Sequence, residues 1–267
     1  MPEQPAPDFV YEEEVLSVCA LSEAGATSSE IAAYLSEEAG LPLRGAKAVL
    51  ARALHVEMEE AMAIVLQSPE WEAIVHRNRE LWRKIAQADS SQDTIALLLD
   101  AASESGARGF IGATDAQIVA CETRLGISFP GELQRWLRLC NGSRAEPGGF
   151  CGVAVALDLP DLEAVLAIHP QWLAQQWIPV AADGIGNQYV VIASSSTSQG
   201  HSVLFIDHEQ GYRPAYVAAS NLWSFLRLLL MNELEMLDWQ WPFDRAETLR
   251  EDPALAECRI APLPWEA

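Results

Sequence analysis

The sequence predicts an α+β protein, an antiparallel β meander packed with helices and preceded by a small all-helical domain. Three observations carry this reading. Four short β runs, WIPVA, QYVVIA, SVLFID and RPAYVA, follow one another between 177 and 218, separated by turn residues. Helical patterns stand on either side of them. Residues 10–88 show helical periodicity and no strand signal.

Taken in order, residues 1–9, acidic and Pro-rich, are expected to be disordered. Thr27-Ser28-Ser29-Glu30 has capping-box spacing, Ile31, Tyr34 and Leu35 follow on one face, and Gly40 is a stop. LRGAKAVLARAL and MEEAMAIVLQ make two further helices. Pro69 opens the next at its first helical position, with Trp71, Ile74, Val75 and Trp82 as a packing stripe. Turn-rich clusters at 89–93 and 103–106 flank TIALLLDAA, which has helical character. The expected division is therefore a helical accessory domain at 10–88, a linker region at 89–110, an α+β domain at 111–237 and an irregular extension at 238–267.

Within 111–237, Thr114 caps a helix whose apolar face is Ile118, Cys121 and Leu125. Phe129-Pro130 opens a second, which Asn141-Gly142 ends. GGFCGVAVALDL reads as a strand, and PDLEAVLAIH as a helix after an Asp158/Pro160 start. Ser220-Asn221 caps the last long helix, LWSFLRLLLMNELEML. Ser224, Arg227, Asn232 and Glu233 break its apolar run, so it is not a membrane span.

The formal net charge is −21, with 22 acidic against 10 basic residues from position 90 onward and 16 against 7 before it. Such a surface repels phosphate backbones and disfavours direct nucleic-acid binding. It suits solubility, or a basic protein partner reached by electrostatic steering. The five cysteines, Cys19, Cys121, Cys140, Cys151 and Cys258, are odd in number and form no C-x-x-C pair, which points to a reducing, cytoplasmic setting.

The stretch DGIGN, 183–187, raises the question of a phosphate loop. It has no lysine, and a strand follows it where a nucleotide fold needs a helix. It reads as a hairpin turn in which Asp183, Gly184, Gly186 and Asn187 have turn chemistry. No nucleophile elbow and no metal-ligand spacing is present. His201 and His208 stand at opposite ends of one strand, more than about 20 Å apart when extended. His169 is a helix-end residue, and Cys140 continues an apolar pattern. Glu122 reads as a buried carboxylate that pairs with Arg135 or Arg138. The loop SSSTSQG, 194–200, is a loop tip. No catalytic residue, metal or cofactor is expected, and the chain is not expected to be an enzyme.

Five pieces, in order, resemble the SUKH superfamily. They are Glu122-x-x-Leu125-Gly126; Phe129-Pro130 with Trp136-Leu137 and Asn141-Gly142; Trp177-Ile178-Pro179-Val180-Ala181 leading to Asp183-Gly184 and Gly186-Asn187-Gln188-Tyr189; Asp207-His208-Glu209; and Ser220 with Phe225-Leu226. The resemblance covers about residues 111–230. It implies structural roles for Glu122, Gly126, Pro130, Trp136, Asn141, Gly142, Pro179, Gly184 and Tyr189. It also implies a non-catalytic protein-binding module, either a bacterial immunity protein that neutralises a toxin, often a nuclease, or a regulator of the fungal cell-wall-assembly type; an uncharacterised hydrolase is the remaining alternative. Asp183, Asn187, Asp207, His208 and Glu209 are the expected partner contacts, on a face that would occlude a basic toxin.

Overall fold

A computed structural model describes residues 11–104, 111–143, 148–156, 159–193, 201–237, 242 and 244–267. The expectations for residues 1–9, for the 194–200 loop and for part of each terminal and linker stretch lie outside the described residues. The chain forms two compact units, Met1–Arg83 and Lys84–Ala267.

The first unit contains α1 (Glu12–Glu23), α2 (Ser28–Ala33), which runs into a π-helical turn at Tyr34–Glu38, α3 (Leu43–Leu54), α4 (Met58–Val65) and most of α5 (Pro69–Ile85). The capping box at α2 forms as the spacing predicts. The Thr27 hydroxyl accepts from the Glu30 N–H at 3.3 Å, and the Glu30 carboxylate accepts from the Thr27 N–H at 2.7 Å. Val18, Ile31, Leu35, Val49, Leu50, Val65 and Trp71 meet in one apolar core.

The second unit begins with α6 (Ser91–Glu104), inside the stretch that the sequence marks as a linker. Ile95, Leu98, Leu99 and Ala102 recur at helical spacing and are buried, and α6 packs along α11 (Leu222–Glu233) of the same unit. Next come α7 (Asp115–Leu125), α8 (Gly131–Leu139), α9 (Leu162–Ile168) and the short α10 (Gln171–Ala174). Thr114 caps α7 in a second capping box with Gln117, and Asn221 caps α11.

β1 (Trp177–Ala182), β2 (Gln188–Ile192), β3 (Val203–Asp207) and β4 (Arg213–Ala219) form an antiparallel sheet in sequence order, the expected meander. Tyr189, Phe205 and Tyr216 sit opposite one another on neighbouring strands, and Phe225 of α11 packs on Tyr189 with ring centroids 4.9 Å apart. The tyrosine hydroxyls bond to each other inside this cluster, and burial raises the pKa of both. The Ala182 N–H donates to Gly149 O at 3.0 Å and the Cys151 N–H to Val180 O at 2.9 Å, along the outer side of β1. Beyond β4, the Val217 N–H donates to Pro262 O at 2.9 Å.

Three local readings are corrected. The described residues of GGFCGVAVALDL form no strand; they make single bridges, Phe150 with Ser143 and Ala181, and Gly152 with Asp161. Gly149 at φ +91° and Ala154 at φ +51° turn the chain out of the extended state. The helix read from Asp158/Pro160 starts at α9, where Asp161 accepts from the Ala164 N–H at 2.9 Å. The C-terminal stretch read as irregular holds α12 (Arg245–Glu251) and a 3-10 turn at Pro253–Glu257. Asp252, buried between them, accepts from both the N–H and the hydroxyl of Ser220, at 2.7 and 2.6 Å.

Candidate protein-binding site

The meander places the β1–β2 and β3–β4 turns at one end of the sheet, so the five residues expected to touch a partner do come together there. Asp183 organises the first turn. Its Oδ1 accepts from the Ile185 and Asn187 N–H groups at 3.0 Å each, and its Oδ2 from Asn187 Nδ2 at 2.6 Å. Asp207 does the same in the second turn, accepting from the Glu209 N–H at 2.8 Å and from Gln210 Nε2 at 2.9 Å. These are Asx turns, in which a short carboxylate substitutes for backbone acceptors.

Asn187 joins the two turns. Because its Nδ2 faces a carboxylate, its Oδ1 is the acceptor, and it receives the His208 N–H at 2.9 Å and His208 Nδ1 at 2.7 Å. In the neutral ring the proton therefore sits on Nδ1, and Nε2 carries the lone pair. Gly186 allows this approach. It has φ +114°, and a Cβ there would lie 3.2–3.3 Å from three atoms of the His208 ring. Asn187 is buried, whereas Glu209 is exposed and its carboxylate has no hydrogen-bond partner among the described residues. Ile185, at the tip of the first turn, is 75 % exposed. Sequence reading passed over it because its neighbours carry the turn signal.

The structural residues behave more specifically than their types suggested. Glu122 does not pair with an arginine. Its Oε1 accepts from the Phe129 N–H at 2.6 Å and Gln134 Nε2 at 3.0 Å, so it ties α7 to the start of α8. Arg138 reaches Asp115 at 2.7 Å, and Arg135 lies 5.8 Å from the Trp223 ring centre. Gly126 ends α7 and Pro130 precedes α8. Trp136 is fully buried edge-on to Phe150 at 4.9 Å. Asn141 acts as a piece of backbone: its Oδ1 accepts from the Val153 N–H at 2.7 Å and its Nδ2 donates to Val153 O at 3.0 Å. Gly142 packs against Gly152 and Val155. Pro179 lies on edge strand β1 opposite Val190, where a missing N–H is tolerated. Gly184 is in the first turn, and Tyr189 in the aromatic cluster.

His169 closes α9, as expected, but its ring is buried against Trp172 and Tyr212, at centroid distances of 4.3 and 4.2 Å. Burial lowers its pKa from 6.5. The unfolded chain thus binds a proton that the folded chain refuses. The contribution to stability is complete above the ordinary histidine range and is lost as pH falls below it. The second unit is expected to melt at lower temperature near about pH 5 than near about pH 7, and His169→Phe to reduce that difference. Melting curves of both proteins across this range check it; an unchanged pH slope in the variant counts against it.

Among the described residues no group of three or more His, Cys, Asp or Glu side chains is arranged to hold a metal. Burial pushes the Cys140 and Cys151 thiols up to about 12, which keeps them in the un-ionised, unreactive form. No described helix is long and apolar enough to cross a membrane.

The candidate site is thus two hydrogen-bonded turns at one end of a four-stranded meander on which α11 packs. Residues 112–228 match the SMI1 / KNR4 family (SUKH-1). The match agrees with the five-piece resemblance and contains the whole sheet and both turns. A SUKH domain is a protein-binding module of the immunity or regulator type, and the family is generally non-catalytic. Among curated proteins, none matches this chain. The first unit, α6 and everything after residue 228, including α12, lie outside the SUKH-1 match.

Proposed function

We propose that this SUKH-1 protein is a cytoplasmic immunity protein that inhibits a basic toxin, of nuclease type, by covering its active surface. The observation that carries the reading is the junction of the two turns through Asn187, which holds Asp183, Asp207, His208 and Glu209 on one end of a chain with net charge −21. An acidic end of this kind attracts the surface that a nuclease presents to nucleic acid and speeds association with it. Asp183 and Asp207 contribute their charge from fixed positions, while Glu209 offers its carboxylate outward.

The test uses the full chain and residues 84–267 as baits in the native host, followed by affinity measurements on the purified partner. The reading expects one basic toxin held equally by both baits. It expects Glu209→Lys to weaken binding by about tenfold or more, and a rise in salt to weaken the wild-type complex. Equal binding by Glu209→Lys, or partners confined to neutral or acidic host proteins, overturns it.

A further inference from the structure

The two turns at the end of the sheet spend their hydrogen-bond donors on each other. In the first turn the Asp183 N–H donates to Asn187 O at 3.3 Å, and the Ile185 and Asn187 N–H groups go to Asp183 Oδ1. In the second, the Glu209 and Gln210 N–H groups go to Asp207 Oδ1. The Gly211 N–H goes to His208 O at 3.2 Å and the Tyr212 N–H to Asp207 O at 2.8 Å. The His208 N–H and its Nδ1–H both end on Asn187 Oδ1.

What faces outward is of the opposite kind. The Glu209 side chain is exposed and its carboxylate is unoccupied among the described residues. His208 Nε2 is an acceptor in the neutral ring. The ring atoms nearest a Cβ at Gly186 are Cγ, Cδ2 and Nδ1, so the Nε2–Cε1 edge lies on the far side. Nε2 bonds to no described residue and is not among the buried side-chain atoms left without a partner, so solvent reaches it. Ile185 adds an apolar group that is 75 % exposed. Across residues 181–189 and 206–214 the one lysine or arginine is Arg213, exposed at the start of β4 opposite Asp207.

We propose that the two joined turns receive arginine side chains of a protein partner, with the Glu209 carboxylate and His208 Nε2 as their acceptors. The inference rests on the reading of this end as the contact surface and names the side chain that the surface selects. A carboxylate takes two parallel N–H bonds from a guanidinium, and arginine has further N–H groups for a neutral imidazole. A lysine ammonium is a compact, strongly hydrated charge, whereas a guanidinium is more weakly hydrated and leaves water at lower cost. Ile185 gives the methylene stem an apolar surface. Asn187 is a positioning residue: it keeps the ring proton on Nδ1 and so leaves the lone pair at Nε2.

The experiment is NMR of the full chain with isotope-labelled histidine at about pH 8, where an ordinary histidine is neutral. The protein is titrated at low salt with hexa-arginine and, separately, with hexa-lysine. The His208 ring is expected to carry its proton on Nδ1 in the free protein. Its Nε2 signal is expected to move with hexa-arginine and not with hexa-lysine. By calorimetry hexa-arginine is expected to bind at least about threefold more tightly than hexa-lysine, and Glu209→Gln to remove that preference. Glu13→Gln, an equal loss of charge at an exposed position on α1, is expected to leave the Nε2 response unchanged. His208→Gln keeps an acceptor and is expected to hold hexa-arginine more tightly than His208→Phe, with unchanged circular dichroism in both. An Nε2 signal that hexa-arginine leaves in place, the same response to both peptides, or wild-type affinity in Glu209→Gln overturns the proposal. A basic toxin captured by the chain together with an unmoved Nε2 signal overturns the arginine site and leaves the immunity reading standing. A moved signal with partners confined to neutral or acidic host proteins does the reverse.

Discussion

Asn141→Ala is expected to lower the melting temperature of the second unit by about 5–10 °C. The side chain makes a two-point pair with the backbone of Val153, twelve residues on, and alanine leaves the Val153 N–H and carbonyl without it. Two such bonds are together worth about 2–3 kcal/mol. For a unit of this size each kcal/mol shifts the midpoint by about 2–4 °C. Asn141→Asp separates the two contributions. It keeps the acceptor for the Val153 N–H but sets a carboxylate oxygen against the Val153 carbonyl, so it is expected to be no better than alanine at neutral pH. Calorimetry on the full chain reads both variants, because the two units give separate opportunities to melt. A shift under about 1 °C for Asn141→Ala means that the Asn–Gly signature serves something other than this bridge.

Trp136→Ala is expected to have the larger effect, about 3–5 kcal/mol, enough to leave the second unit partly unfolded at 37 °C. Trp136 is fully buried on α8 and meets Phe150 edge to face, so truncation leaves a cavity where the α7–α8 pair is held to the bridged segment before β1. Trp136→Phe discriminates packing from polar bonding. The indole N–H has no acceptor among the described residues, so phenylalanine forfeits volume and no hydrogen bond seen there. It is expected to cost about 1–2 kcal/mol. If the phenylalanine variant is as damaged as the alanine one, the indole N–H has a bonding role that the packing account lacks. Denaturant titration of the three proteins decides this.

Much of this architecture was legible because its signals are local. The meander follows from alternating β runs and glycine-asparagine turns, and the caps at Thr27, Thr114 and Asn221 follow from residues within four positions of each other. What escaped the sequence is bonding across distance. Glu122 bonds to the Phe129 N–H and Gln134 rather than to an arginine, because the turn between α7 and α8 brings a backbone donor closer than any cation. The clamp of Asp252 on Ser220 joins residues thirty-two positions apart and has no periodicity to betray it. GGFCGVAVALDL has the composition of a strand, but its glycines and Ala154 take left-handed or crowded positions that break the ladder. At the candidate site the sequence brought both turns forward as polar loops. It did not reveal that Asp183, Asn187 and Asp207 spend their side chains on shaping those turns, which leaves Glu209, His208 Nε2 and Ile185 as the groups best placed to meet another molecule.

The backbone bonds flanking the meander bear on how such a meeting takes place. An open sheet offers its outermost strands as templates on which a foreign strand can be laid, and this is also the commonest route to uncontrolled self-association. Here the segment around Phe150 occupies the β1 side and the carbonyl of Pro262 occupies the β4 side at Val217. Both outer strands are thus partly covered from within the same chain. A guest strand that paired at Val180, Ala182 or Val217 would first have to displace one of these covers.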